Sequence, residues 1–214
     1  MIRFDTVLRA LAIVAMLTGV ARAEGDAMKI VALGDSLTAG YQLPPQAAFP
    51  VQLEAALKAR GHHVEVVNAG VSGDTTSGGL ARLDWSVGED ADAVIVELGA
   101  NDALRGLPVS SVRKNIDAIV SRLYARGVPV LLAGMRAPRN MGEDYSTDFD
   151  AVFPDVAEKY GALLYPYFLE GIPMSKETVL PDGMHPTQKG VALIVQGILP
   201  KVEALIERAR ATGG

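Results

Sequence analysis

Apolar residues along this chain follow two alternating rhythms. Short continuous runs at 28–33, 64–68, 93–98, 128–133 and 163–165 are rich in Val, Ile, Leu and Ala and end at glycine or polar residues. Runs of this length, apolar at successive positions, predict strands buried on both faces. Between them the period lengthens. Phe49, Leu53, Ala56 and Leu57 share one helical face, and the helix is expected to end near Arg60-Gly61. Ile116, Ile119, Val120 and Leu123 form a second such face, closed by Gly127. Residues 149–160 read as helical, with Pro154 implying a late start or a kink. Thr187 can cap a last helix that Pro200 breaks or bends and that ends near Arg208. Strands alternating with helices predict a single three-layer α/β/α domain around a mostly parallel five-stranded sheet, flavodoxin-like in class. There is no internal repeat and no interdomain linker.

Composition narrows the picture. At 214 residues, 49% hydrophobic and 21% charged, the chain can bury one sizeable core. A formal charge of −5 gives no reason to expect nucleic-acid binding. The absence of cysteine excludes disulfides, cysteine nucleophiles and thiolate metal sites. Arg3 and Arg9 precede an apolar stretch at 10–20, and Ala21-Arg22-Ala23 follows as a small-x-small cleavage site. That layout predicts a signal peptide over 1–23, leaving a domain over 24–214 that is periplasmic or secreted. The apolar stretch is too short for a membrane span, which needs about 20 residues. Loss of Arg3, Arg9, Arg22 and Asp5 would take the charge to −7.

The unusual polar residues fall where strands end. Ser36 follows the first strand, Gly73 lies in the polar, glycine-rich stretch 69–79 after the second, and Asn101-Asp102 follows the third. Parallel strands share a C-terminal edge, so the three loops open at one rim. Asp35 and Ser36 are also favoured helix caps, and that plainer reading competes. Of three histidines, His62 and His63 sit at a helix end, whereas His185 follows Asp182 at turn spacing before the last helix. An acid so placed can bend back to Nδ1 and leave Nε2 free to activate a serine hydroxyl. The Ser36 and Gly73 backbone N–H groups and the Asn101 amide would offer three donors to an oxyanion; a turn glycine and a loop-capping Asn are the plain alternatives. A metal hydrolase is disfavoured, because no histidine lies at ligand spacing from Asp35, Asp74 or Asp102. A nucleotide binder is disfavoured because Gly34 to Gly40 lacks a phosphate-loop Lys-Ser/Thr.

Gly34-Asp35-Ser36-Leu37, Gly73, Gly99-Ala100-Asn101-Asp102 and Asp182-Gly183-Met184-His185 together resemble the successive blocks of the SGNH (GDSL) hydrolases. In their context, Val71-Ser72-Gly73-Asp74-Thr75-Thr76 and Val96-Glu97-Leu98-Gly99-Ala100-Asn101-Asp102-Ala103-Leu104-Arg105-Gly106 resemble the bacterial thioesterase I, arylesterase and lysophospholipase branch. The resemblance implies Ser36 as nucleophile, Asp182 and His185 as the rest of a triad, and an oxyanion hole of Ser36, Gly73 and Asn101. It implies no cofactor and no metal. Position 38 is Thr, so this is not a G-x-S-x-G elbow. The expected substrate is a small acyl ester or thioester, the expected state a monomer. The acyl group is expected along a groove touched by Leu104, Arg136, Pro138 and Met141, and Asp102 is expected to brace its loop. A carbohydrate O-acetylesterase and a non-catalytic periplasmic acyl or lipid carrier are the other readings.

Overall fold

The computed structural model describes residues 27–212. The expected leader over 1–23 and its cleavage site lie outside them. Five strands form one sheet: β1 (Met28–Gly34), β2 (Val64–Gly70), β3 (Ala93–Glu97), β4 (Val130–Ala133) and β5 (Leu163–Tyr165). All neighbours are parallel, in the order β2-β1-β3-β4-β5. Every residue of β3 is buried, whereas edge strand β2 alternates, with Val64 and Val66 in and Glu65 out. Covering both faces of the centre is what makes its strands near-continuous apolar runs.

Helices α2 (Phe49–Ala59) and α9 (Gln188–Thr212) pack together on one face; α3 (Thr76–Ala81), α6 (Val109–Ala125) and α8 (Val152–Tyr160) lie on the other. The expected faces are the buried ones: Phe49, Leu53 and Leu57 on α2, and Val112, Ile116, Ile119, Val120 and Leu123 on α6. Each such side chain contributes about 1.5–3 kcal/mol on burial. From β1 the chain steps to β2 on one side and then crosses back over β1 to β3 on the other. The crevice between β1 and β3 is therefore the switch point where open α/β sheets place ligands.

Departures from the predicted boundaries have local causes. β4 begins at Val130 instead of 128, because Pro129 cannot donate to the ladder; its carbonyl accepts from Val94 N at 3.0 Å. β2 runs on to Gly70, whose Cβ would collide with the backbone of Ala39. The helix expected over 149–160 is two helices, α7 (Glu143–Asp150) and α8, parted at Ala151. Pro154 falls in the first turn of α8, where N–H groups have no helical acceptor, so the chain restarts there instead of kinking. Conversely α9 runs unbroken through Pro200 to Thr212. Ile198, Leu199 and Val202 bury both sides of that proline, and the packing outweighs one lost bond. Thr187 caps α9, accepting from Gly190 N at 3.2 Å. Four short helices escaped the periodicity because each spans at most two turns: α1 (Ser36–Ala39), α3, α4 (Leu83–Ser86) and α5 (Ala100–Leu104).

Gly190 packs directly on the backbone carbonyl of Thr178, and a Cβ there would overlap that oxygen. Gly190→Ala should therefore cost about 1–3 kcal/mol of stability. A urea midpoint lowered at unchanged slope is the expected result; an unchanged midpoint would show that the strap before α9 yields.

Candidate active site

The four C-terminal loops meet over the switch point. Asp35 caps α1, its Oδ1 accepting from Leu37 N at 3.0 Å, and Ser36 is the first residue of that helix. The cap and the rim serine are thus one device, since the turn that satisfies the helix end also presents the hydroxyl. Across the crevice the chain tightens into a turn: Gly183 N donates to Leu180 O at 2.9 Å and Leu180 N to His185 O at 2.7 Å, with Gly183 at φ +73°. A side chain would be strained at that angle. Within the turn Asp182 Oδ2 lies 2.7 Å from His185 Nδ1, and His185 Nε2 lies 2.9 Å from Ser36 Oγ. Asp182 Oδ1 accepts from the Met184 and His185 backbone N–H groups at 2.9 and 3.0 Å. Those two bonds hold its carboxyl down at about 2. His62 instead faces Glu203, 3.3 Å away.

The remaining predicted residues lie at the same rim. Gly73 has φ +85°, and Arg105 Nη2 donates to its carbonyl at 2.8 Å. Among the described residues, no acceptor meets the backbone N–H of Gly73 or of Ser36. Asn101 differs from the expectation of a spare donor. Its Nδ2 already donates to Asp74 O at 2.9 Å and to Asp35 Oδ2 at 3.1 Å, which uses both amide hydrogens. Asp102 braces the neighbouring loop, accepting from Thr76 N at 2.8 Å and Thr76 Oγ1 at 2.7 Å.

A cleft of about 770 Å³ opens from Ser36, Gly73, Asn101 and His185 towards the loops after β4 and β5. Leu37, Met135, Ala137, Leu169, Ile172 and Val179 make much of its wall apolar. Leu104, Arg136 and Pro138 line it as expected sequence contacts, but Met141 does not. A one-turn 3-10 helix at Arg139–Met141 carries the Met141 side chain towards Gly106, away from the cleft. Met135, Met174 and Met184 line it instead. Arg136 pairs with Glu170 at 3.0 Å and lies over the Tyr167 ring, 4.7 Å from its centre, while Arg139 reaches Asp150 at 3.4 Å.

Three features carry no periodic signal. Tyr41 packs against His185 with ring centres 4.5 Å apart and the rings tilted by 38°, delivered by a loop in which Gln42 takes φ +58°. Arg82 donates to Asp74 Oδ2, Ala69 O and Gly34 O at 2.6, 2.8 and 2.8 Å. Glu97 is a fully buried acid within an apolar strand, and a charge inside such a run was the one available hint.

Residues 32–193 match the family model described as GDSL-like Lipase/Acylhydrolase. The chain belongs to that family. The "Arylesterase" of Vibrio mimicus is 41% identical over 159 residues, 74% of this chain and 80% of the relative. The "Thioesterase 1/protease 1/lysophospholipase L1" of Escherichia coli K12 is 33% identical over 178 residues, 83% of this chain and 84% of the relative. The crystal structure of AlinE4, an SGNH-hydrolase family esterase, is similar with a TM-score of 0.72 and 42% identity, covering 84% of this chain and 97% of that one. This GDSL-family chain is a hydrolase of ester bonds. Among the described residues, no helix is long and apolar enough to cross a membrane.

Burial lifts Asp35 from 3.8 to about 6, against hydrogen bonds from Leu37 and Asn101 and the attraction of His185. Between those values the folded protein holds a proton that the unfolded chain has released, so this group lowers stability as pH rises from about 4 to 6. Asn at position 35 keeps a capping carbonyl and cannot ionise. The stability of Asp35→Asn relative to wild type should rise across that interval in urea titrations. A difference independent of pH would mean that Asp35 titrates as it does in water.

Proposed function

We propose that this protein is a serine esterase working through an acyl-enzyme on Ser36. One observation carries the reading: the relay Ser36 Oγ–His185 Nε2–Asp182, at 2.9 and 2.7 Å, stands at the mouth of a largely apolar cleft. His185 takes the Ser36 proton as the hydroxyl oxygen attacks the acyl carbonyl. The new oxyanion meets the Ser36 and Gly73 N–H groups, which no acceptor among the described residues occupies. Asn101 adds a third bond by turning one amide hydrogen from Asp35 to the oxyanion while Asp74 O retains the other. His185 then protonates the departing alcohol or thiol, and water repeats the sequence on the acyl-enzyme. Asp182, ionised throughout, holds the imidazole's orientation and tautomer.

The substrates fitting such a wall are aryl esters, thioesters such as those of coenzyme A, and lysophospholipids; the relatives' names point to aryl esters, thioesters and lysophospholipids. The apolar lining speaks against a carbohydrate O-acetylesterase, whose sugar would ask for hydrogen-bonding side chains there. Loop 135–139, not Met141, is the acyl-facing part of the strand-four connection. We also infer that residues 1–23 act as an export leader; N-terminal sequencing of the exported protein should begin at Glu24, and an intact Met1 would refute this.

Ser36→Ala should abolish turnover of nitrophenyl butyrate with the fold intact, and a fluorophosphonate should label Ser36 in wild type. An acyl carrier would instead bind stoichiometrically, without a burst of nitrophenol. Asn101→Ala should lower kcat by roughly 10²–10³ at little-changed KM. A raised KM at constant kcat would make Asn101 a binding residue.

A further inference from the structure

Glu97 closes β3 and is fully buried, beside the equally buried Asp35. Its Oε2 accepts from Thr38 Oγ1 at 2.7 Å and from Asp35 N at 3.3 Å, while its Oε1 has no partner. No Lys, Arg or His pairs with it among the described residues. The titratable group that faces it is Asp35, which in turn feels His185 and Asp102. Its register partner across the β1–β3 pair is Gly34. A Cβ on Gly34 would overlap the Thr38 hydroxyl and crowd the Glu97 carboxyl, so the glycine makes room for this contact.

A buried carboxylate with one unserved oxygen, no cation and a second acid alongside would cost several kcal/mol. Keeping the proton removes most of that cost and still leaves Oε2 free to accept. Desolvation and the nearby Asp35 push the group well above the usual carboxylate range, in the same sense.

We propose that Glu97 is a neutral carboxylic acid that positions the nucleophile, tying the short helix of Ser36 to the strand that leads into Asn101. The inference rests on the reading of Ser36 as nucleophile and Asn101 as oxyanion donor. These groups leave adjacent strands, and the Thr38–Glu97 bond is a side-chain link between the two strand ends. A neutral acid makes that link without adding a second negative charge beside Asp35, beneath a site where negative charge must develop. Glu97 touches neither substrate nor reacting atoms; it is a positioning residue.

The test compares Glu97→Gln, Glu97→Ala and Thr38→Val in the mature enzyme, with Ser36→Ala alongside. Gln reproduces a neutral acid, so Glu97→Gln should keep kcat within about threefold of wild type across the pH profile. Removing the anchor misplaces the attacking oxygen, and Glu97→Ala should lose about 10²-fold in kcat at nearly constant KM. Thr38→Val should fall in the same direction, and the double variant should be no worse than the poorer single one. Infrared spectra at neutral pH should show a protonated-carboxyl band that Glu97→Gln lacks. This band and Thr38→Val keep the test decisive if Glu97→Ala does not fold. A missing band, a Glu97→Gln enzyme as impaired as Glu97→Ala, or a Glu97→Ala enzyme with intact kcat would overturn the proposal. An active Ser36→Ala would instead overturn the nucleophile reading, whatever Glu97 does.

Discussion

Where a parallel sheet ends, its carbonyls lose their ladder partners, and they must be satisfied before loops of any precision can be built on them. Here one guanidinium meets much of that need. Arg82 bonds the last carbonyl of β1, a carbonyl near the end of β2 and the Asp74 carboxylate at once. Asp74 in turn receives the Asn101 amide through its main-chain oxygen, and Asp102 pins Thr76 from the other side. The loop bearing Gly73 is thereby held between three strand ends. An arginine suits this place because its donors lie in a fixed plane and reach several acceptors together. Gly78 leaves the Asp74 carboxylate its space; a Cβ there would overlap it.

The site combines two electrostatic regimes at close range. On the turn before α9, Asp182 is partly exposed and served by two backbone N–H groups, so it keeps its charge. Beneath α1, Asp35 and Glu97 are sealed from water and are driven towards neutrality. The same residue class serves once as an anion that steers an imidazole and, beneath α1, as carboxyls whose burial favours the protonated form. Environment makes the difference, not identity.

How much of this was legible depends on whether the controlling interaction is local. The five strands, the α2 and α6 faces and the Thr187 cap follow from neighbours a few positions apart, and their periodicity exposes them. The Asp182–His185 contact is equally local, a turn contact three residues apart. Glu97 shows the opposite case. Its role lies in a bond to Thr38, 59 positions away, and the sequence around it displays only a charge among apolar residues. Tyr41 meets His185 across more than half the chain, and the 3-10 turn that carries Met141 beside Gly106 leaves no periodic trace. Pro200 and Pro154 show the same limit: a proline's effect on a helix depends on where the helix starts and on what packs against it.

Acid and base share one turn, whose two arms are joined at the base by an isolated antiparallel bridge between Val179 and Pro186. In most triads these groups come from separate elements, and a local fluctuation can displace one while the other stays. Here the two leave together. Opening of this single flap withdraws proton acceptor and orienter in one event while the sheet and its core remain folded, so the cooperative unit for function is smaller than the cooperative unit for folding.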